Sequence, residues 1–315
     1  MQFFKKSVLF VLLLSFVFIF GCAKEQGYKG ARLVMGTVWE ITAYGDKAAC
    51  LEAIEEAFKE VERVSKVFSI FDENSEVSII NKTAGISKIK LSDEAYDLIG
   101  KSIYFSEISG GVFDITITPL MRMWGFVDRK PRVPTDEEIK RALDLVGYEN
   151  IVLDEKTKEI SFKKNGVELD FGAIAKGYGV DRAVLVLKKY GIQSALVNGG
   201  GNIYCIGAPP GKNFWNIGIK DPLTQDRILK TIELKDQAVA TSGGYENYFI
   251  INGKKYCHII DPRTGMPCEG ILSATVIAED ATTADALSTA CFVLGKQKGE
   301  ELLRKVPGAR GIILE

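Results

Sequence analysis

The 315-residue chain contains one histidine, His258, in the run Tyr256-Cys257-His258-Ile259-Ile260-Asp261-Pro262-Arg263-Thr264-Gly265. A β-rich stretch gives way there to a Pro/Gly turn. A side chain at the end of a strand can face a cleft while the sheet behind holds it, and a neutral imidazole can take a proton near pH 7. Residue type alone suits an ordinary structural histidine as well, and Asp261 with Arg263 equally suits a turn acceptor and a local ion pair. Asp285 and Thr289 stand four residues apart in a helical pattern that starts near Thr283, so they project from one face. A carboxylate and a hydroxyl are hard oxygen ligands, suited to magnesium rather than zinc. Two oxygens are a weak site alone, but magnesium completes its shell with water and substrate phosphate. Taken without context, Asp285 is also a favourable charge for the first turn of a helix.

Three glycine-bearing segments offer backbone to a ligand. Asp170-Phe171-Gly172-Ala173-Ile174-Ala175-Lys176-Gly177 joins an expected strand to a helix, where free amides and a lysine can meet a phosphate. Asn198-Gly199-Gly200-Gly201-Asn202 and Thr241-Ser242-Gly243-Gly244-Tyr245 permit close approach, or are simply turns. None matches a P-loop, a dinucleotide GxGxxG or a nucleophile elbow. Gly110-Gly111-Val112-Phe113-Asp114 leads to Trp124-Gly125-Phe126, aromatics that can cradle a flat ring or fill a core.

The elements that must position these residues are legible in outline. Arg32 to Tyr44, with Val34, Thr37, Val38, Trp39, Ile41 and Thr42, reads as a strand. From Asp46, Leu51, Ile54, Phe58, Val61 and Val64 recur at helical spacing. Ser92 opens a second helix reaching about Ser109. Thr135 and Glu138 form a capping-box pair before a third, with Gly147 placed to end it. Ile151 to Lys163 reads as a hairpin. Strands are expected at Val167–Asp170, Ala195–Val197, Trp215–Ile219, Ile228–Leu234, Ala238–Ala240 and Ser273–Ala278, and a helix at Thr283–Leu294. Asn252-Gly253 signals a hairpin between Tyr248–Ile251 and Lys255–Ile260. The fold class is α+β: mixed β-sheets flanked by helices in one continuous unit, with room for two lobes around a cleft.

Composition agrees with a folded globular body: 46% of residues are apolar and 26% charged. Forty basic and 41 acidic side chains leave a formal charge of -1, both signs are interspersed, and a duplex nucleic-acid partner is excluded. Residues 1–21 read as an export signal, Lys5 and Lys6 preceding an apolar run to Gly21, and Cys22 follows at once in the manner of a bacterial lipoprotein. Lipid on Cys22 would hold the chain to a membrane outside the cytoplasm, with 22–31 as the lipidated residue and a polar tether, and 32–315 as the working domain. Without Lys5 and Lys6, 38 basic face 41 acidic residues, so the mature body carries -3. Cys50, Cys205, Cys257, Cys268 and Cys291 fit neither a zinc pattern nor CxxC, and a single disulfide stays open.

In chain order, Met35-Gly36-Thr37, Phe68-Ser69-Ile70-Phe71 with Ser75-Glu76-Val77, the 110–114 and 124–126 elements, Leu169 to Asp181, Val197 to Tyr204, Ala240 to Phe249, Tyr256 to Pro267 and Ala284 to Gly295 together resemble the ApbE family of FAD:protein FMN transferases. The resemblance runs from about Arg32 to the end of the chain. It implies a magnesium-dependent enzyme that splits FAD, attaches the FMN half to a threonine or serine hydroxyl of a partner membrane redox subunit, and releases AMP. Carried over position by position, the backbone carbonyl of Ala173 with Asp285 and Thr289 would hold Mg2+. Met35, Phe71, Val112, Phe113, Asp114, Asp170, Lys176 and Ile259 would line the FAD site, and His258 would be catalytic. Phe71 stands where many relatives have tyrosine, which keeps ring stacking and removes a hydroxyl contact. The extracytoplasmic face of a bacterial inner membrane is the location that the lipoprotein start implies. The rival readings are an FAD pyrophosphatase that yields FMN and AMP, and a non-catalytic flavin-binding lipoprotein.

Overall fold

Apolar and polar residues alternate along Tyr28–Val34 and Thr37–Tyr44, and in the computed structural model, which describes residues 27–224 and 227–315, these pair as an antiparallel hairpin. The single strand expected over 32–44 is therefore two, joined by Met35 (φ 50°) and Gly36 (φ 72°). Two successive positive φ values define the turn whose twist matches a hairpin, and methionine at the first of them hid it. Within the stretch expected as a tether, 22–31, Tyr28 already opens a strand. The export signal and Cys22 lie outside the described residues.

This hairpin begins a seven-stranded sheet whose spatial order follows chain order: Tyr28–Val34, Thr37–Tyr44, Ser194–Gly199, Asn202–Ile206, Gln237–Gly243, Ser273–Ala278 and Arg310–Leu314. Every ladder in it is antiparallel. Seven helices are described: α1 Lys47–Phe68, α2 Glu76–Thr83, α3 Asp93–Ser109, α4 Thr118–Met123, α5 Asp136–Leu143, α6 Ala175–Lys189 and α7 Ala281–Arg304. The architecture is α+β, sheets flanked by helices, and the described sheets are antiparallel where mixed ones were expected, because hairpins and returning strands, not parallel crossovers, join their neighbours. Helices α1, α6 and α7 pack on one another and on the sheet. A separate hairpin, Trp215–Lys220 with Ile228–Leu234, packs Trp215, Ile217 and Leu234 against Cys205, Val239 and Ile277 of the sheet. Strand Ser273–Ala278 is buried along its whole length, as a strand covered on both faces should be.

Local chemistry accounts for the helix ends. Asp46, Ser75 and Ser92 each accept a backbone N–H three residues on, and Thr135 with Glu138 closes the expected capping box. That third expected helix ends at Leu143 instead of Gly147, which at φ 137° begins a short 3-10 turn. On α1, Ile54, Ala57, Phe58, Val61 and Val64 are buried; a side chain such as Phe58 contributes about 1.5–3 kcal/mol. Helix α6 is tied to α1 and α3 through Arg182–Glu60 at 2.8 Å and Tyr178 Oη donating to Glu94 at 2.8 Å.

The strand expected at Val167–Asp170 forms no ladder. Its backbone is satisfied otherwise: Leu169 N–H donates to Asn81 Oδ1, Asn81 Nδ2 donates to the Leu169 carbonyl, and Asp170 N–H donates to the Ile115 carbonyl. Ile151–Asp154 and Glu159–Phe162 do form the expected hairpin. The hairpin at Asn252-Gly253 forms between Tyr248–Ile251 and Lys254–Cys257, so its second strand stops one residue short of His258. Helix α7 starts two residues earlier than expected, capped by Asp280, and breaks at Gly295 (φ 76°, ψ 179°) next to the expected end. All five described cysteines are free, four of them buried. No described helix is long and apolar enough to cross a membrane.

Candidate active site

The insertions that leave the sheet at residues 45–193 and 244–272 meet beside the first turns of α6 and α7, around an open cleft. Its lining brings together Val112, Phe113, Asp114, Asp170, Ala173, Lys176, His258, Ile259, Asp285 and Thr289. Met35 and Phe71 are not in that lining. They sit in an adjoining groove of about 940 Å³, which shares Asp170, Gly172 and Lys176 with the cleft. Trp124 takes no part in either: it is fully buried, and its Nε1 donates to the Gly265 carbonyl at 2.8 Å.

His258 follows the Lys254–Cys257 strand and is fixed by one carbonyl. The Asn247 oxygen accepts from the backbone N–H of His258 and lies 3.0 Å from its Nδ1. A carbonyl can only accept, so Nδ1 carries the hydrogen and Nε2 keeps a lone pair. Burial pushes the imidazole below its ordinary value of 6.5, helped by the nearby positive Lys176 and opposed by the bond to Asn247. The ring is therefore a neutral base at pH 7.

Asp285 is only 4% exposed. Its Oδ2 accepts the N–H of Gly177 at 2.8 Å, and its Oδ1 lies 3.9 Å from Lys176 Nζ. Gly177 is a first-turn donor of α6, without a partner inside its own helix, and Asp285 satisfies it. Ala173 precedes the helix, and its carbonyl accepts no backbone hydrogen bond among the described residues. One turn along α7, Thr289 Oγ1 lies 3.2 Å from Ser242 Oγ, which is 2.8 Å from Ser288 Oγ. Lys176 Nζ donates to the Gly172 carbonyl at 3.0 Å, and Asp170 accepts the Gly172 N–H at 2.7 Å, closing the loop that enters α6.

Gly177 is what allows this approach. A Cβ there would fall 2.2 Å from the Ala281 carbonyl oxygen and 2.7 Å from Asp285 Cβ. Gly177→Ala is expected to cost about 1–3 kcal/mol, the range for overpacking a close contact, read as a lowered denaturant midpoint, and to displace Asp285 from α6.

The cleft is acidic. Asp114, Asp170, Glu246 and Asp285 line it against the single lysine, Lys176. Burial pushes all four carboxyls up, Asp114 to about 6. Asp114 has a structural task as well: it accepts from the N–H and Oγ1 of Thr116 and from the N–H of Tyr148. Residue spacing gave no sign of Glu246, of Ser242 as a neighbour of Thr289, or of the Asn247 carbonyl; the small-residue turn at 241–245 was the nearest signal.

The donor set fits a hard cation. No group of three or more His, Cys, Asp or Glu is placed to bind a metal among the described residues, but one buried carboxylate, a hydroxyl one turn on and the Ala173 carbonyl just before α6 are three oxygens beside an open cleft. Hard oxygens of this kind suit magnesium, which takes its remaining positions from water and phosphate.

Phe71 is 74% exposed at the rim of the groove, its N–H held by Ser69 Oγ. An aromatic left in water beside a ligand-sized groove offers a stacking face. A flat ring stacked there should bind about five- to tenfold more weakly to Phe71→Ala in a fluorescence titration, the lower end of base-stacking energies, while Phe71→Tyr stays within twofold.

The ApbE family model matches residues 35–313. The chain is similar to the FAD:protein FMN transferase of Treponema pallidum, 33% identical over 311 residues and covering 93% of this chain and 86% of that protein. It is also similar to that of Klebsiella pneumoniae, 32% identical over 280 residues, with 88% and 86% covered. Among solved structures, the ApbE protein from Thermotoga maritima aligns with a TM-score of 0.86 at 40% identity, covering 91% of this chain and 94% of that one. The apo form of Pseudomonas stutzeri flavinyl transferase ApbE gives 0.80 at 30% identity, with 92% and 95% covered. Because the match starts at the groove's turn residue Met35, takes in the whole cleft and ends in the last strand of the sheet, the chain belongs to the ApbE family.

Proposed function

We propose that this protein is a magnesium-dependent FAD:protein FMN transferase. The observation that carries the reading is the convergence, in one acidic cleft, of a single neutral imidazole with Lys176 and the three oxygens of Asp285, Thr289 and Ala173. Relatives that carry the transferase name support it.

The reaction needs a serine or threonine hydroxyl of the acceptor to attack the FMN phosphorus. The new O–P bond forms as the bond to the AMP oxygen breaks, AMP leaves with that electron pair, and the hydroxyl proton passes to Nε2 of His258. The Asn247 carbonyl, by holding the hydrogen on Nδ1, keeps Nε2 ready for it. Lys176, the one lysine in the cleft lining, would offer the diphosphate a protein cation, and its bond to the Gly172 carbonyl limits its travel. Bound Mg2+ would screen the charge of the diphosphate and of the departing AMP. Asp285, Thr289 and the Ala173 carbonyl would hold it. Phe71 and Met35 would support a ring in the groove, and Val112, Phe113 and Ile259 form apolar wall in the cleft. Acidic groups beside an anionic substrate favour a cation between them.

The Cys22 lipid anchor, the extracytoplasmic inner-membrane location and a membrane redox subunit as acceptor belong to the same proposal, resting on the export signal. The test is incubation of the protein with FAD, Mg2+ and an acceptor peptide bearing Ser or Thr, followed by mass spectrometry. Covalent FMN with matching release of AMP is the expected result. Free FMN and AMP with unmodified peptide would instead assign the FAD pyrophosphatase reading, and intact FAD would leave a flavin-binding lipoprotein.

A further inference from the structure

Asp181, the last residue of the Leu169–Asp181 motif, touches no part of the cleft, yet it is a half-buried carboxylate fully occupied by one task. Its Oδ1 accepts the N–H of Ala281 at 2.8 Å, and its Oδ2 accepts the N–H of Thr282 at 2.9 Å and Thr282 Oγ1 at 2.5 Å. These are first-turn donors of α7, which have no partner within their own helix. The converse bond lies one turn away: Asp285 of α7 accepts the N–H of Gly177 in the first turn of α6. Helix α6 has no side-chain cap from its own N-cap residue, Ile174. Each helix therefore supplies the carboxylate that caps the other. The two bonds are four residues apart on α6, Gly177 and Asp181, and stand on one face of it.

From this exchange we infer that Asp181 is a positioning residue for the cation-binding end of the cleft. The inference rests on the function proposed above. Ala173 enters α6, whereas Asp285 and Thr289 ride on α7, so the spacing of the three oxygens is the spacing of the two helices. Helix α7 is held along its length by the sheet, but the Gly177–Asp285 bond is a single point tying its first turns to α6 by a hydrogen bond. Asp181, gripping two successive amides and a hydroxyl at the start of α7, supplies the second tie and sets how that end of α7 sits against α6. Asp280 leaves this work to Asp181, because its own side chain is engaged with Thr283.

The test uses Mn2+ as the probe, titrated by electron paramagnetic resonance into His258→Ala protein with FAD bound, so that no turnover consumes it. Adding Asp181→Asn keeps one acceptor oxygen but removes the other, and should weaken Mn2+ about tenfold, the usual lower range for loss of a residue that orients a metal ligand. FAD affinity measured without metal should stay within twofold. If Asp181 only stabilised the fold, the variant's melting temperature would drop while the Mn2+ titration stayed in place, and the inference would be overturned. Thr282→Val removes only the hydroxyl bond and serves if Asp181→Asn does not fold; a shift of about threefold is expected, and an unchanged curve would overturn the inference. Asp285→Ala separates the two levels. If it abolishes Mn2+ binding while Asp181→Asn and Thr282→Val do not alter it, the inference alone fails; if it leaves Mn2+ binding unchanged, the cation reading fails and takes the inference with it.

Discussion

His258→Ala is expected to lower FMN transfer by about 10²–10⁴-fold, the usual worth of a general base, and to leave FAD binding within about threefold. No other imidazole exists in the chain to substitute for it. The pH profile gives a second reading of the same residue. Burial lowers the ring's folded value below 6.5, so the parent's kcat/KM should fall only as pH drops through that lowered value, and the variant should lack this limb. The sign for stability follows: below the ordinary value the unfolded ring binds the proton more readily than the folded one. His258 therefore contributes stability above pH 6.5 that is lost as pH falls through the folded value. Stopped assays of peptide flavinylation between pH 5 and 8, with flavin fluorescence for binding, check both. Equal turnover in the variant would remove His258 as the base.

The second large effect is at Asp285. Asp285→Ala deletes the one carboxylate of the oxygen set and the cap on Gly177, and should raise the Mg2+ concentration for half-maximal transfer by about 100-fold, the upper range for disturbing a metal site. Asp285→Asn separates the two roles. The amide oxygen can still accept from Gly177, and a buried charge without a salt-bridge partner closer than 3.9 Å is removed. Its stability should equal or exceed the parent's, since burial disfavours the ionised form. Its Mg2+ requirement should still rise steeply. A Mg2+ titration that overlays the parent's curve in either variant would show that the cation binds elsewhere.

What could be read in the residues, and what could not, divides along physical lines. Local chemistry was legible: the Thr135–Glu138 capping box, the Asn252-Gly253 hairpin and the four-residue spacing of Asp285 and Thr289 each depend on neighbours within one turn. Met35-Gly36 was not, because methionine in a positive-φ turn contradicts its own propensity and only tertiary context holds it there. The extended 167–170 segment looked like a strand by residue type, but its partners are a side chain, Asn81, and a loop carbonyl, Ile115, which no periodicity reveals. Pairings across the large sheet join residues far apart in sequence, such as Glu40 with Asn198. In the cleft, the resemblance to the ApbE family identified residues that spacing alone left as turns and core. Even so, Ser242, Glu246 and the Asn247 carbonyl emerged only when the 241–247 turn was placed beside α7 and His258.

The most direct measurement is a crystal structure of the His258→Ala protein with FAD and Mn2+, the metal located by anomalous scattering. The prediction is a manganese peak on Asp285, Thr289 and the Ala173 carbonyl that also touches the FAD diphosphate, with Cα of residue 258 facing the FMN phosphorus. A metal bound away from Asp285, or a diphosphate lying outside the reach of residue 258, would contradict the convergence of base and cation on one phosphoric anhydride.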